Sequence, residues 1–257
     1  MRTERLKEME DFILRKGSAS LEDITQEFQI SVNTARRDIA ELLRINRNIK
    51  KVYGGVNVEA GTSIVPCSSR INVNASVKDA IGKLAARLVS DGDAIYLDSG
   101  STTPHIIKYL KDLKNVTVLT NNLMAMTEAS LYSNINLISL GGLYNQHTAS
   151  FVGSIPLEAL NRFRIRTVFL SATGVSLQSG LTNSTYMEAE MKRFVASKGE
   201  RRVLLADHSK FGKSAAVTFY DFHNLYSLVT DICPAEPYLS VMEQYGMKLL
   251  YQKDSND

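Results

Sequence analysis

Short apolar runs alternate with helical repeats through the last two thirds of the chain, and this alternation restricts the fold more than any other feature. The predicted helices cover residues 76–89, 104–111, 122–131, 154–160 and 187–197. The predicted strands cover residues 94–97, 116–119, 135–140, 167–170, 202–205, 225–229 and 248–251. Repeated β–α alternation of this kind predicts a mainly parallel sheet covered by helices.

One loop between a predicted strand and helix, with the sequence DSGSTTP, has the composition of an anion-binding loop. Gly100 lets the backbone approach a ligand closely, and Pro104 suits the first turn of a helix. Amide and hydroxyl groups at the start of a helix can converge on a phosphate. The predicted contacts are Asp98, Ser99, Gly100, Ser101, Thr102 and Thr103. The simpler interpretation is an ordinary loop whose Ser and Thr residues cap the helix.

Other polar residues follow neighbouring predicted strands, where ligands of parallel sheets usually bind. They are Asn121, Gly141, Gly142, Asp207 and Lys210. Glu188 and Lys192 stand four residues apart on one helix, so they form either a surface ion pair or a pair directed into a cleft. His208 is expected to be structural, because no Ser or Cys nucleophile pattern accompanies it. Together these groups suit a small phosphorylated sugar or polyol.

The first 58 residues predict a separate domain of three short helices followed by a hairpin. Helical spacing predicts a first helix over 2–16, and Ser20 with Asp23 forms a capping-box pattern for the second. Ser31 can cap a third helix with an inward stripe of Val32, Ala35, Ile39 and Leu42. This is the pattern of a winged helix-turn-helix, although a three-helix cap domain has the same periodicity.

Positive charge concentrates on the third helix and the hairpin. Residues 31–53 contain six bases and two acids, whereas the whole chain has a net charge of only +3. This distribution favours double-stranded DNA as a partner, with phosphate contacts from the bases and base contacts from the helix. The predicted DNA-binding residues are Ser31, Asn33, Thr34, Arg36, Arg37, Lys50, Lys51 and Tyr53.

Residues 59–69 lack helical or strand periodicity and predict a linker, which leaves 70–257 as a second domain. The two cysteines, Cys67 and Cys233, form no metal-ligand spacing and do not indicate an oxidising compartment. We therefore expect no metal and no cofactor. The chain contains neither a membrane-spanning run nor a secretory signal, so a cytoplasmic location is expected.

The order of these motifs resembles the DeoR family of bacterial regulators of sugar metabolism. The resemblance rests on SVNTARRDIAELL, KKVYGGV, LDSGSTT, LTNN, LISLGG, GLTNSTYMEAEMKR and LLADHSKFG. It implies a winged helix-turn-helix joined to a sensor domain similar to phosphosugar isomerases, with a phosphorylated sugar as effector. It also implies a phosphate loop at 98–103, an E-x-x-x-K helix at Glu188 and Lys192, and a D-x-S-K corner at 207–210.

Some positions match the family without a role, and others depart from it. Arg70 and Lys78 match family positions ahead of the sensor core, but no contact is assigned to them. Residues 44–48 lack the family's usual E-K-G turn, and Tyr53 stands where histidine is common. These departures leave DNA binding as the expectation and make the operator sequence and wing geometry harder to infer.

We expect a sequence-specific regulator of a carbohydrate-metabolism operon, with repression as the favoured sign, controlled by a phosphorylated sugar or polyol. A single winged helix covers few base pairs, so a homo-oligomer, dimer or tetramer, is expected. The alternative is a phosphosugar isomerase-like enzyme with Glu188 as general base and an appended DNA-binding domain. A third possibility is a DNA-binding protein whose sensor pocket no longer binds a ligand.

Overall fold

The computed structural model describes residues 2–16, 18–46, 49–52, 54–58 and 67–252, and its contacts divide the chain into Met1–Val65 and Pro66–Asp257. The linker predicted at 59–69 falls mostly outside the described residues. Its last three residues belong to a short helix, Cys67–Ile71. A helix of five residues is too short to show a helical repeat in the sequence.

The described residues of the amino-terminal unit form three helices and a three-stranded antiparallel sheet. Its elements are α1 (Arg2–Lys16), β1 (Ser18–Ser20), α2 (Leu21–Phe28), α3 (Val32–Ile45), β2 (Ile49–Val52) and β3 (Gly55–Val58). The sheet order is β1–β3–β2, so the predicted hairpin gains a third strand. The predicted capping box is present, because Ser20 Oγ accepts from Asp23 N at 3.0 Å and Asp23 Oδ2 accepts from Ser20 N at 2.8 Å.

The inward stripe of α3 differs from the prediction at its first residue. Val32 is 46% exposed, so its predicted burial is wrong, whereas Ala35, Ile39 and Leu42 are buried as predicted. Asp38 is also buried, at 2% exposure, and accepts from Arg5 Nε at 2.8 Å. This ion pair joins the middle of α3 to α1. The burial of Asp38 could not be predicted, because a polar residue adds nothing to the apolar spacing of the helix.

The carboxyl-terminal unit is built on a seven-stranded parallel sheet in the order β15–β14–β12–β9–β4–β5–β6. Its strands are β4 (Ala94–Leu97), β5 (Val116–Thr120), β6 (Ile135–Ser139), β9 (Ile165–Ser171), β12 (Gly199–Leu205), β14 (Ser227–Val229) and β15 (Lys248–Leu250). Its helices are α4 (Cys67–Ile71), α5 (Ala75–Ala86), α6 (Leu123–Ala129), α7 (Ser154–Leu160), α8 (Tyr186–Lys198) and α9 (Glu236–Gln244). The predicted fold class, a winged helix-turn-helix plus a mainly parallel α/β domain, is confirmed.

The sheet buries a separate apolar cluster on each face, because successive side chains of a strand point to opposite sides. Leu170 of β9 packs in the cluster that contains Val195 of α8. Phe169, the preceding residue, packs in the opposite cluster with Ile81 of α5. Because both faces of the sheet are covered by apolar packing, polar groups can collect only at the ends of the strands.

Two antiparallel additions lie outside the main sheet and were not predicted. One is the hairpin of β7 (Leu143–Asn145) and β8 (Ser150–Val152), and the other is the sheet of β10 (Gly174–Ser176), β11 (Gly180–Asn183) and β13 (Val217–Tyr220). Strands of three or four residues are too short to establish an alternating pattern. The segment predicted as a helix at 104–111 is instead a 3-10 helix, Thr103–Leu110, with Pro104 in its first turn.

Candidate functional site

Polar residues of the carboxyl-terminal unit collect where three adjacent strands end. Asp98 follows β4, Ser171 is the last residue of β9, and Asp207 follows β12 shortly after the strand ends. These strands are neighbours in the parallel sheet, so their carboxyl ends lie at one edge. The 3-10 helix and α8 bring the remaining groups of the site to the same edge.

A buried ion pair forms the base of this site. Asp98 and Lys192 are both 1% exposed, and the Lys192 ammonium lies against Asp98 Oδ2. Lys192 Nζ also donates to Ser171 O at 3.0 Å and to Ser99 O at 3.2 Å. Asp98 Oδ2 accepts from the amide of Ser171 at 2.9 Å and lies 3.0 Å from the Ser171 hydroxyl. Lys192 is therefore a buried partner of Asp98 and of the loop carbonyls, and it does not form a surface ion pair with Glu188.

The loop from Asp98 to Thr103 turns its carbonyl groups inward. Ser171 Oγ donates to Ser99 O at 2.7 Å, Asn122 Nδ2 donates to Gly100 O at 2.8 Å, and Thr103 Oγ1 donates to Asp98 O at 2.6 Å. With three successive carbonyls held by the protein, the peptide planes have little freedom to rotate. The direction of the loop's N–H groups is consequently fixed.

The N–H groups of this loop have no acceptor within the described part of the chain. The amides concerned are those of Ser99, Gly100, Ser101 and Thr102. All four residues are buried, and buried amides are almost always hydrogen-bonded. Four such donors at the first turn of a helix are the arrangement that binds an anion. The hydroxyls of Ser101 and Thr102 likewise make no hydrogen bond among the described residues.

Three cationic side chains gather beside Asp207, and two of them received no role from the sequence. Burial above all, together with the nearby charges of Lys210 and Arg70 and against the opposing charge of Asp207, lowers the pKa of Lys78 to about 8. Burial also lowers the pKa of Lys210. The Lys78 ammonium lies against the carbonyl oxygen of Arg70, which ties α5 to α4. Cationic side chains close enough to lower one another's pKa form a setting that a bound anion would stabilise.

Glu188 is buried and hydrogen-bonded as part of the cap of α8. Its Oε2 accepts from Asn183 Nδ2 at 2.8 Å and from Thr185 Oγ1 at 3.0 Å. Its other oxygen, Oε1, lies 3.4 Å from Ser99 Oγ. Glu188 thus reaches the 98–103 loop, and its carboxylate joins α8 to that loop.

Asn121 and Gly142 have structural contacts in this fold, and Gly141 is exposed beside them. Asn121 Oδ1 accepts from the buried hydroxyl of Tyr96 at 2.7 Å, and its amide nitrogen donates to Phe151 O at 2.8 Å. A Cβ on Gly142 would lie 2.7 Å from Val152 O, so the hairpin requires glycine there. Gly141 is exposed. A role of these three residues in ligand binding stays a prediction.

The corner after β12 is a single 3-10 turn, His208–Lys210. Asp207 caps it by accepting from Ser209 N at 2.9 Å, and its Oδ1 also lies against the Ser209 hydroxyl. His208 Nδ1 lies 2.5 Å from Asp231 Oδ2, and this hydrogen bond raises the pKa of the half-exposed imidazole. No cluster of metal-ligand type occurs among the described residues.

The amino-terminal unit presents a polar and basic face on α3. Asn33, Arg36 and Arg37 are exposed, and Lys50 and Lys51 are exposed on β2. Ser31 Oγ accepts from Thr34 N at 3.2 Å and shares a 2.9 Å hydrogen bond with Thr34 Oγ1, so these two hydroxyls cap the helix. Tyr53 lies outside the described residues. Val32, which the pattern placed in the core, is exposed at the start of this helix, and a role of these residues in DNA binding stays a prediction.

Comparisons with known proteins match both units. The DeoR-like helix-turn-helix domain matches residues 5–61, and the DeoR C terminal sensor domain matches residues 73–232. The chain is 43% identical to the HTH-type transcriptional regulator IolR of Bacillus subtilis (strain 168), over 90% of this chain and 91% of that one. It is 24% identical to the Glycerol-3-phosphate regulon repressor of Escherichia coli (strain K12), over 96% and 98%.

Among solved structures, a D-ribose-5-phosphate isomerase in complex with phospho-erythronic acid is similar, with a TM-score of 0.41 and 18% identity. That alignment covers 53% of this chain and 54% of the isomerase chain. Within the described residues, no helix is both long and apolar enough to cross a membrane.

The fold and the comparisons together define a DNA-binding transcriptional regulator with a separate sensor domain. The chain belongs to the DeoR family of transcriptional regulators. The expectation of a regulator rather than an enzyme is confirmed by the relatives, which are named as regulators.

Proposed function

We propose that this protein is a cytoplasmic repressor of a carbohydrate-metabolism operon, and that a phosphorylated sugar or polyol bound in its sensor domain controls it. The observation that carries the effector class is the row of four buried, unpaired amides at 99–102. The name of the Glycerol-3-phosphate regulon repressor, a relative over nearly the whole chain, supports both repression and a phosphorylated polyol.

In this proposal the two ends of the effector contact different groups. The phosphate would accept from the amides of the 98–103 loop and from the hydroxyls of Ser101 and Thr102, with Lys78, Lys210 and Arg70 supplying positive charge. The polyol end would lie toward Asp207 and Glu188, whose carboxylates accept from hydroxyl groups. Lys192 would act indirectly, because its ammonium already has acceptors inside the loop.

Helix α4 offers a route from this effector site to the DNA-binding domain. It is the first described element of the carboxyl-terminal unit, and its Arg70 is close enough to influence both Lys78 and Lys210. Cys67 N donates to His147 O at 2.7 Å, which fixes the start of α4 on the sensor domain. An anion that binds differently in two arrangements of α4 would shift the balance between them.

A thermal-shift assay with a panel of sugar and polyol phosphates tests the effector class. A ligand at 100 times its Kd that binds only the folded state adds about 2.7 kcal/mol to the free energy of unfolding. The unphosphorylated sugars serve as controls and should give no shift. The absence of a shift with every member would support a sensor pocket that no longer binds a ligand, and turnover at an ordinary enzymatic rate would contradict the regulator as the whole function.

The pH dependence of effector binding should follow Lys78. Its ammonium is charged below a pKa of about 8, so effector affinity is expected to be highest near pH 7 and to fall above pH 8, by up to about tenfold per pH unit. Isothermal titration between pH 7 and 9.5 measures this fall. Lys78→Gln should weaken binding and flatten the profile, whereas Lys83→Gln, at an exposed lysine of the same helix, should leave both unchanged. A flat wild-type profile would exclude Lys78 from the site.

For operator binding we propose that α3 enters the major groove and that the β2–β3 wing contacts phosphates, with two domains of a homo-oligomer on paired half-sites. Arg37→Ala is expected to cost about 1–3 kcal/mol and to relax specificity at one position of each half-site. Lys51→Ala should weaken binding to all sequences alike and reduce the salt slope by about one. Anisotropy titrations with specific and random duplexes at several salt concentrations distinguish the two, and unchanged affinity in both variants would remove this assignment.

A further inference from the structure

We propose that Val32 reads the C5-methyl group of a thymine in each operator half-site. This proposal rests on the placement of α3 in the major groove. Val32 is the first residue of α3, and its side chain is 46% exposed. Its helical spacing from the buried Ala35 and Ile39 predicts a core position for this valine instead. An apolar side chain there contributes little to the core of the domain, so its exposed surface is available to a partner.

The exposed residues of α3 form one continuous face that includes Val32. Val32, Arg36 and Ala40 follow at intervals of four residues, and Asn33 and Arg37 form the adjacent row. Residues four apart lie one above the other on a helix. The valine therefore shares a row with a basic side chain and stands at the amino-terminal end of that row.

The position of Val32 suits contact with a base edge. The first residues of a recognition helix reach deepest into the major groove, and helical side chains lean toward the amino terminus. The nearby hydroxyls of Ser31 and Thr34 bond to each other at 2.9 Å as part of the helix cap. Val32 is the apolar side chain in this first turn, and the thymine methyl is the apolar group that a major-groove base edge presents.

The test uses the full-length protein and an operator selected from a random duplex library. Each thymine of the operator is replaced in turn by deoxyuridine, which removes only the methyl group, and affinity is measured by anisotropy. The wild type should lose about three- to fivefold at one thymine of each half-site, the factor for one buried methyl group. Val32→Ala should bind the thymine and uracil forms of that position equally.

A matched control separates this contact from a general loss of apolar surface. Val73 of the sensor domain is also 46% exposed, and Val73→Ala should keep the wild-type thymine pattern. Val32→Ala replaces an exposed residue with a stronger helix former, so α3 should remain folded. If Val32→Ala keeps every thymine dependence of the wild type, or weakens all duplexes alike, the proposal is wrong.

Failure of this proposal can be distinguished from failure of the groove assignment. If Arg37→Ala weakens specific binding while Val32→Ala leaves the thymine pattern intact, α3 still reads DNA and only the valine contact is excluded. If neither variant nor Lys51→Ala affects binding, α3 is not the recognition helix and the proposal is overturned with it.

Discussion

Lys192→Met is expected to destabilise the sensor domain by about 3–5 kcal/mol, the usual cost of leaving one partner of a buried ion pair uncompensated. The Asp98 carboxylate, at 1% exposure, would retain only the neutral donors of Ser171 and Ser99. Ser99 O and Ser171 O would also lose a donor. Urea unfolding followed by near-UV circular dichroism measures this loss, with the transition of the sensor domain fitted separately from that of the smaller unit.

The neighbouring residue supplies the control for this experiment. Arg193 forms an ion pair with Glu190 on the same helix, but both side chains are well exposed, at 48% and 39%. Arg193→Met should therefore cost less than about 1 kcal/mol. The double variant Asp98→Asn, Lys192→Met removes both charges and should be more stable than Lys192→Met alone. A Lys192→Met protein as stable as Arg193→Met would mean that the pair does not hold the loop.

The sequence was sufficient for the main sheet because its strands have a strong local signal. A strand buried on both faces is a continuous apolar run, as in IYL of β4 and VFL of β9. The short antiparallel strands β10, β11 and β13 have no such signal, since their pairing is set by contacts distant in the chain. Residues 181 and 220 pair across 39 positions, which no local pattern reveals.

Residue types at the site could be predicted, but their partners could not. The spacing of Glu188 and Lys192 gave the shared helix face, while the actual partner of Lys192 is Asp98, 94 residues earlier. Asn121 is of a residue type that often contacts ligands. Its hydrogen bond with the buried hydroxyl of Tyr96, on the adjacent strand, follows only from the tertiary structure. Lys78 reads as an ordinary helical lysine, and its burial beside Lys210 follows only from the packing of α5.

Gly100→Val should yield a protein that binds its operator normally and no longer responds to a phosphorylated effector. Gly100 has a φ of +142°, a conformation that other residues rarely adopt, and a Cβ there would lie 2.4 Å from Ser171 Oγ. The sequence suggested that the side chain would block the phosphate directly. The structure adds an indirect effect, because Ser171 Oγ holds Ser99 O and Asp98 Oδ2, and its displacement would turn the amides of the loop away from a common point.

The measurement is operator affinity with and without a panel of sugar phosphates. Coupling between two sites is typically about 1–3 kcal/mol, so effector should change the operator affinity of the wild type by about 5- to 150-fold. The operator affinity of the variant should not change with effector. Gly153→Ala is the control, because Gly153 has a φ of +108° and a Cβ there would meet no atom within 4 Å. That variant carries comparable backbone strain, roughly 1–3 kcal/mol, and should keep its response.

The possible outcomes separate the anion-binding loop from the coupling between domains. If Gly100→Val keeps the full effector response, the amides of 99–102 do not bind the phosphate. If it loses operator binding while circular dichroism shows both domains folded, the loop controls DNA binding even without effector. In that second case, strain at Gly100 would act through the same contacts that an effector is proposed to use. The Asp98–Lys192 pair and α4 would then influence operator affinity even when no effector is bound.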